Sequence, residues 1–144
     1  FFQFSIFHPE MRIISGIHGG RKINPPSKMP FTRPTTDIAK EGLFNIIENN
    51  LHIPDLVTLD LFGGTGCISY ELASRGATNL TIVEKDPLMF RFIKSTSDQL
   101  GFHFKVIKQD VFKFMLSESG HYDLIFAGSP YALTTIDYLR ALVF

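Results

Sequence analysis

Between residues 56 and 142 the chain alternates four times between a short apolar run and a segment of helical spacing: LVTLDLF then CISYELASRG, NLTIVEK then PLMFRFIKSTSDQL, FKVIKQD then VFKFMLSES, YDLIF then TTIDYLRAL. A helix crossing between successive strands forbids simple hairpins and favours parallel pairing, with helices on both faces of one sheet. The expected fold class is therefore α/β, with a mostly parallel sheet and flanking helices. Ligands of such sheets bind beyond the carboxyl ends of the strands, and chemistry is to be sought there.

The segments ahead of this alternation are of a different kind. MRIISG and GRKIN, separated by Gly16, Gly19 and Gly20, form a candidate hairpin, and PPSKMPFTRP is a proline-punctuated, mobile extended arm. Thr35, Thr36 and Asp37 are all capable helix caps, and residues 38 to 50 put Ala39, Leu43, Ile46 and Ile47 on one side of a helix. The expected organisation is an upstream extension over residues 1–10, a hairpin and arm over 11–36, and one main domain over 37–144. DYLRALVF runs to Phe144 without a stop signal, so the last strands of that domain are expected to be missing.

Composition removes several classes. No apolar run approaches the roughly 20 residues needed to cross a bilayer, and the apolar start FFQFSIF lacks the small residues of a cleavage site. One cysteine, Cys67, excludes an internal disulfide and suits a reducing cytoplasm. The five histidines are scattered without metal-ligand spacing, and no metal is expected. The zero net charge hides an asymmetry: residues 11 to 40 hold six basic side chains against Asp37 alone. Concentrated charge of this sign fits a polyanion partner, or a solvated loop; charge alone leaves both open.

The strand ends carry the candidate site. The first reads Asp60-Leu61-Phe62-Gly63-Gly64-Thr65-Gly66. Glycines there permit a tight turn and close approach of a ligand to the main chain. A dinucleotide pattern begun at Gly64 would need glycine where Ser69 stands, and no Gly-Lys-Ser/Thr follows for a phosphate loop. The remaining D-x-F-x-G-x-G turn resembles the first motif of Rossmann-like methyltransferases that bind S-adenosylmethionine. On that resemblance Asp60 orients the turn or meets the ligand amine, directly or through water, beside Phe62, while Gly64 and Gly66 admit the methionine moiety. Glu84 lies 18 residues beyond Gly66, at the end of the second strand. An acid at that distance accepts from two ribose hydroxyls or remains a solvated carboxylate. Asp86 is read as the cap of the next helix, ahead of Pro87. Asp110, ending the third strand, either accepts from an adenine amino group or caps a helix. The fourth strand, read as buried, ends in Gly128-Ser129-Pro130-Tyr131, a turn or a platform for a planar group.

MRIISGxxGGRK, TRPTTDxxKEGLFN, LDLFGGTG, VEKD and the strand-end PY occur here in order. Together they resemble the RsmD family, bacterial methyltransferases acting on the exocyclic N2 of a guanine in small-subunit ribosomal RNA with S-adenosylmethionine. The resemblance covers Met11 to about Tyr131. It implies that Arg12, Arg21, Lys22 and Arg33 face RNA, with ribosomal RNA or an assembly intermediate as partner, no membrane, and a cytoplasmic monomer.

One departure bears on chemistry. Family members read Asp-Pro-Pro-Tyr where this chain reads Gly128-Ser129-Pro130-Tyr131. The resemblance implies that the aromatic ring stacks on a turned-out guanine while the acid accepts its amino hydrogens. Gly128 has no side chain to do so. Two alternatives follow: an impaired homologue that still binds cofactor and RNA, or a methyltransferase for another amine, in DNA adenine or protein glutamine.

Overall fold

The strand of residues Val57–Leu61 (β3) is the axis of the domain, with the strand Asn79–Val83 (β4) paired to one side of it and the strand Leu124–Ala127 (β6) to the other. A fourth strand, Lys105–Ile107 (β5), pairs with the outer edge of β4, giving the order β5-β4-β3-β6 with every pair parallel. The computed structural model describes residues 11–26 and 36–128. Among these, an antiparallel pair, Met11–Arg12 (β1) and Lys22–Ile23 (β2), precedes the sheet as the expected hairpin. The helices are Asp37–Asn50 (α1), Cys67–Ser74 (α2), Pro87–Gln99 (α3) and Val111–Ser117 (α4).

The crossovers explain the layers. The chain steps outward from β3 through β4 to β5 and then returns to the other side of β3. Right-handed connections therefore put α2 and α3 on one face and α4 on the other. The core divides accordingly: Phe44 and Ile47 of α1 and Ile68, Tyr70 and Leu72 of α2 lie in one cluster. Leu59, Leu61 and Val83 pack with Val111 and Phe114 of α4 in a second.

Three helix starts obey local rules. Thr36 caps α1 by accepting from the Ala39 amide at 3.2 Å, and Asp86 caps α3 through Met89 at 2.9 Å, with Pro87 in the first turn. Asp110 caps α4, its Oδ1 accepting from Phe112 and Lys113.

Two expectations need correction. The buried face of α1 is Lys40, Phe44 and Ile47, while Ala39 is exposed and Ile46 is 65% exposed. A lysine was not expected inside because its charge must be paired there; Lys40 satisfies this by donating to the Arg12 carbonyl and by meeting Glu71 at 3.7 Å. The strand β6, read as buried, is half-buried among the described residues: Leu124 and Phe126 pack inward, Ile125 and Ala127 outward.

The hairpin is fastened to the domain, which the sequence did not foresee. Met11, Ile13 and Ile23 are core residues. Glu71 accepts from the amides of Ile14 at 2.9 Å and Ser15 at 3.1 Å. The Ser74 carbonyl accepts from the Ile17 amide, and its hydroxyl both receives from the His18 amide and donates to the Ser15 carbonyl. Of the arm PPSKMPFTRP, residues 27–34, Arg33 among them, lie outside the described residues, as does Thr35.

Candidate active site

The return of the chain to β3 creates a switch point, since the connections on its two sides run in opposite directions. Crevices at such points are where open α/β sheets bind ligands. The register is specific: Leu61 stands opposite Val83 on one side and Ala127 on the other. The next residue along each strand is therefore Phe62, Glu84 and Gly128. Parallel pairing alone brings together three expected site positions separated by up to 66 residues.

The turn after β3 is built on close approaches. A β-carbon at Gly63 would lie 2.4 Å from Ile82, and one at Gly66 would lie 2.7 Å from the Tyr70 ring. Gly64 and Gly66 have φ of 57° and 83°, the left-handed region that favours glycine. Gly66 is thus demanded by packing beneath the turn as well as by its backbone. Phe62 is also left-handed, at φ 62°, a strained setting for a bulky residue and one concentrated at functional sites. Its half-buried ring meets Phe112 edge-on, with centroids 6.3 Å apart.

Glu84 ties two strand ends together. Its Oε2 accepts from the Gly64 amide at 2.8 Å and its Oε1 from the Asp86 amide at 3.0 Å. Each carboxylate oxygen has a second lone pair, so this fixed and half-exposed group retains accepting capacity. It is neither a freely solvated side chain nor one exhausted by the protein.

Asp60 behaves differently. Leu59 and Leu61 face α4, so alternation turns Asp60 toward α2. There it is buried, and Oδ2 accepts from the Ser69 hydroxyl at 2.8 Å while Oδ1 has no protein partner. Burial raises the Asp60 pKa from 3.8 to about 7; the Ser69 hydrogen bond works against this, and the Glu84 charge adds to it. The Tyr70 hydroxyl is likewise buried and makes no hydrogen bond of ordinary geometry, although Thr96 lies beside it; burial is the main cause that raises its pKa, and Thr96 works against this. Sequence reasoning missed Gly63, Ser69 and Tyr70. Ser69 stood out only as a failed glycine.

The remaining candidates differ in their surroundings. Asp110 is half-buried, and the capping bonds leave its Oδ2 unused. Gly128 is exposed, and Ser129, Pro130 and Tyr131 lie outside the described residues. Arg12 pairs with Asp37 at 2.7 Å, and Arg21 and Lys22 are exposed. The turn before Arg21 is fastened to Ser74, at the far end of α2 from Gly66. Eight residues of helix, about 12 Å, separate those points. Among the described residues no group of three or more His, Cys, Asp or Glu is arranged to hold a metal, and no helix is long and apolar enough to cross a membrane.

A family model described as Conserved hypothetical protein 95 matches residues 11–143. Ribosomal RNA small subunit methyltransferase D of Escherichia coli (strain K12) is 31% identical over 123 residues, 85% of this chain and 61% of that protein. The chain spans about three fifths of the length of the curated relatives it matches. A solved structure of a putative methyltransferase from Escherichia coli superposes with a TM-score of 0.82 at 26% identity, covering 93% of this chain and 72% of that one. The fold is shared more widely: a Thermus thermophilus ribosomal RNA N2 methyltransferase, solved with AdoMet and guanosine, has a TM-score of 0.58 at 23% identity, over 72% of this chain and 28% of its own.

Proposed function

The chain belongs to the RsmD family, and from that membership we propose that it is a methyltransferase domain that binds S-adenosylmethionine and acts on the exocyclic N2 of a guanine in small-subunit ribosomal RNA. The observation that carries this reading is the Glu84 carboxylate held against the Gly64 amide at the switch point. A fixed acid beside a glycine turn suits a ligand with a ribose and an extended tail.

The residues fit that cofactor. Glu84 has accepting capacity for ribose hydroxyls. Asp60 offers a buried, unpartnered oxygen to an ammonium group, and Gly63 and Gly64 are only half-buried in the turn. Asp110 keeps Oδ2 for an adenine amino group. The bound cofactor supplies an electrophilic methyl group; the chain's part is to hold both reactants in line and exclude water. Gly128, in register with Phe62 and Glu84, adjoins the place where the guanine amine must sit. The exposed Arg21 and Lys22 begin about one helix length from the turn, which favours a polymer that spans both regions over a free nucleoside. Action in the cytoplasm as a monomer belongs to the same reading.

Gly128 favours a second reading, in which cofactor and RNA are bound but transfer is impaired, because no side chain at that position accepts the amino hydrogens.

Calorimetric titration of the chain with S-adenosylmethionine tests the first step. Micromolar to submillimolar binding is expected. Glu84→Ala should weaken it by roughly ten- to a hundredfold, the range for hydrogen bonds to a charged group. Absence of binding would remove the cofactor assignment, and indifference to Glu84→Ala would remove that residue's role.

A further inference from the structure

Two buried polar oxygens among the described residues lack partners, Asp60 Oδ1 and the Tyr70 hydroxyl. Both lie beneath the same glycine turn: Tyr70 packs against Gly66, and Asp60 is close enough that its charge contributes to the raised pKa of Tyr70. Buried polar groups are normally satisfied, and exceptions gathered at one place call for a ligand or a reacting group. Ser69 sits between them in sequence, 1% exposed, with its hydroxyl committed to Asp60 Oδ2.

We infer that Ser69 is a positioning residue for the cofactor: its hydroxyl holds the Asp60 carboxylate by Oδ2 and so leaves Oδ1 as the acceptor for the cofactor's ammonium group. The inference rests on the cofactor reading above and extends it to a residue outside the glycine turn. A carboxylate at the end of one rotatable stem would otherwise swing, or take up a proton. A hydroxyl has a single proton to donate, and here it supports the ionised acid. The groups acting on Asp60 are Ser69 from α2 and Glu84 from the end of β4; Asp60 in turn acts on Tyr70, which also has Cys67 at the start of α2 and Thr96 of α3 beside it. Glu84 opposes ionisation, and Ser69 is the neighbour that favours it.

The test uses S-adenosylhomocysteine, which carries the same ammonium group and cannot be turned over. Its affinity is measured by calorimetry at pH 6.0 and 7.5 for the unaltered chain, Ser69→Ala, Asp60→Asn and the double variant. If loss of the hydroxyl raises the Asp60 pKa by roughly one unit, Ser69→Ala weakens binding about tenfold at pH 6.0 and about threefold at pH 7.5. Titration of the ligand's own amine affects all four proteins alike. In the Asp60→Asn background the Ser69 change should alter affinity less than about twofold, because Ser69 acts through Asp60. An equal loss at both pH values and in both backgrounds would reduce Ser69 to a packing residue and overturn the inference, as would no loss at all. Carbon-13 NMR of the Asp60 carboxyl in the ligand-free chain gives a readout independent of the cofactor: Ser69→Ala should move its titration upward, and an unmoved titration overturns the inference. If the titration moves but the unaltered chain binds no S-adenosylhomocysteine, the cofactor reading fails and takes the inference with it.

Discussion

Lys40 Nζ lies 3.7 Å from Glu71 Oε2 with both side chains withdrawn from water, and around this pair the amino-terminal hairpin is fastened to the helical layer. Lys40 donates onward to the Arg12 carbonyl, while Glu71 accepts from two hairpin amides and from Arg75 Nε. Arg75 also reaches Glu48 and lies over the Phe44 ring, 4.6 Å from its centroid. The hairpin is therefore part of the domain body, and its basic side chains project from a fixed base.

Replacing Glu71 by Gln would leave Lys40 and Arg75 without their buried counter-charge. Loss of one partner of a buried pair costs about 3–5 kcal/mol. The expected result is a much lower denaturant midpoint, with faster hydrogen exchange at Ile14 and Ser15. A midpoint unchanged from the parent would show that the cluster does not anchor the hairpin.

Gly16 and Gly20 provide an internal control, since both have φ of 85°. A β-carbon at Gly20 meets nothing within 4 Å, whereas one at Gly16 would fall 1.9 Å from the Ser74 carbonyl oxygen. Gly20→Ala should cost only the left-handed backbone strain, about 1–2 kcal/mol. Gly16→Ala should cost roughly 1–3 kcal/mol more. Equal losses in paired urea melts would place the hairpin turn away from α2.

The Asp60 carboxyl should make stability fall as pH rises. Its pKa is raised from 3.8 to about 7 on folding, so between those values the folded chain holds a proton that the unfolded chain has lost. The contribution is complete below the lower value and gone above the higher. It is on the order of 4 kcal/mol at full swing. Asp60→Asn should flatten this fall when midpoints are compared between pH 4 and pH 8. Parallel curves for the two proteins would count against a protonated Asp60.

On the RNA reading, changing Arg21 and Lys22 to Ala should weaken binding and flatten its dependence on salt, each lost phosphate contact altering the log-log slope by roughly 0.7–0.9. Arg12 already faces Asp37, so Arg12→Ala should change the slope less. Filter binding with small-subunit RNA at several salt concentrations measures both. An unchanged slope would return this charge to the role of a solvated surface.

Methyl transfer by the chain should be slow if Gly128 has removed the acceptor, since one preorganised polar contact is worth on the order of 10²–10³-fold in rate. The double variant Gly128→Asp with Ser129→Pro should recover much of that rate with little change in cofactor affinity. A β-carbon at 128 would come 2.9 Å from the Phe126 ring, so that ring must turn aside to admit it. Incorporation of labelled methyl into RNA compares the two proteins. Equal, substantial rates would mean that another group supplies the acceptor.

The succession of elements and the strand ends at which chemistry is to be sought are legible in the residue order alone. Alternation of apolar runs and helical segments, the glycine turn after Asp60 and the Asp86 cap ahead of Pro87 depend on residues a few positions apart, where spacing and side-chain type suffice; the choice of Thr36 over Thr35 and Asp37, and the capping bonds of Asp110, came from the folded geometry. The rest depends on partners far along the chain. Placing β6 beside β3 brings Gly128 level with Phe62 and Glu84, an outcome of strand order that no local pattern contains. Lys40 is inside because Glu71, 31 positions later, offsets its charge, and the hairpin is held because Glu71 and Ser74 satisfy backbone groups 56 to 59 positions earlier. Ser69 reads as a polar residue in a helix until the sheet turns Asp60 toward it and leaves one carboxylate oxygen without a partner. Burial makes the pairing of a charge or a polar atom decisive, and the identity of that pair is set only when the chain closes on itself.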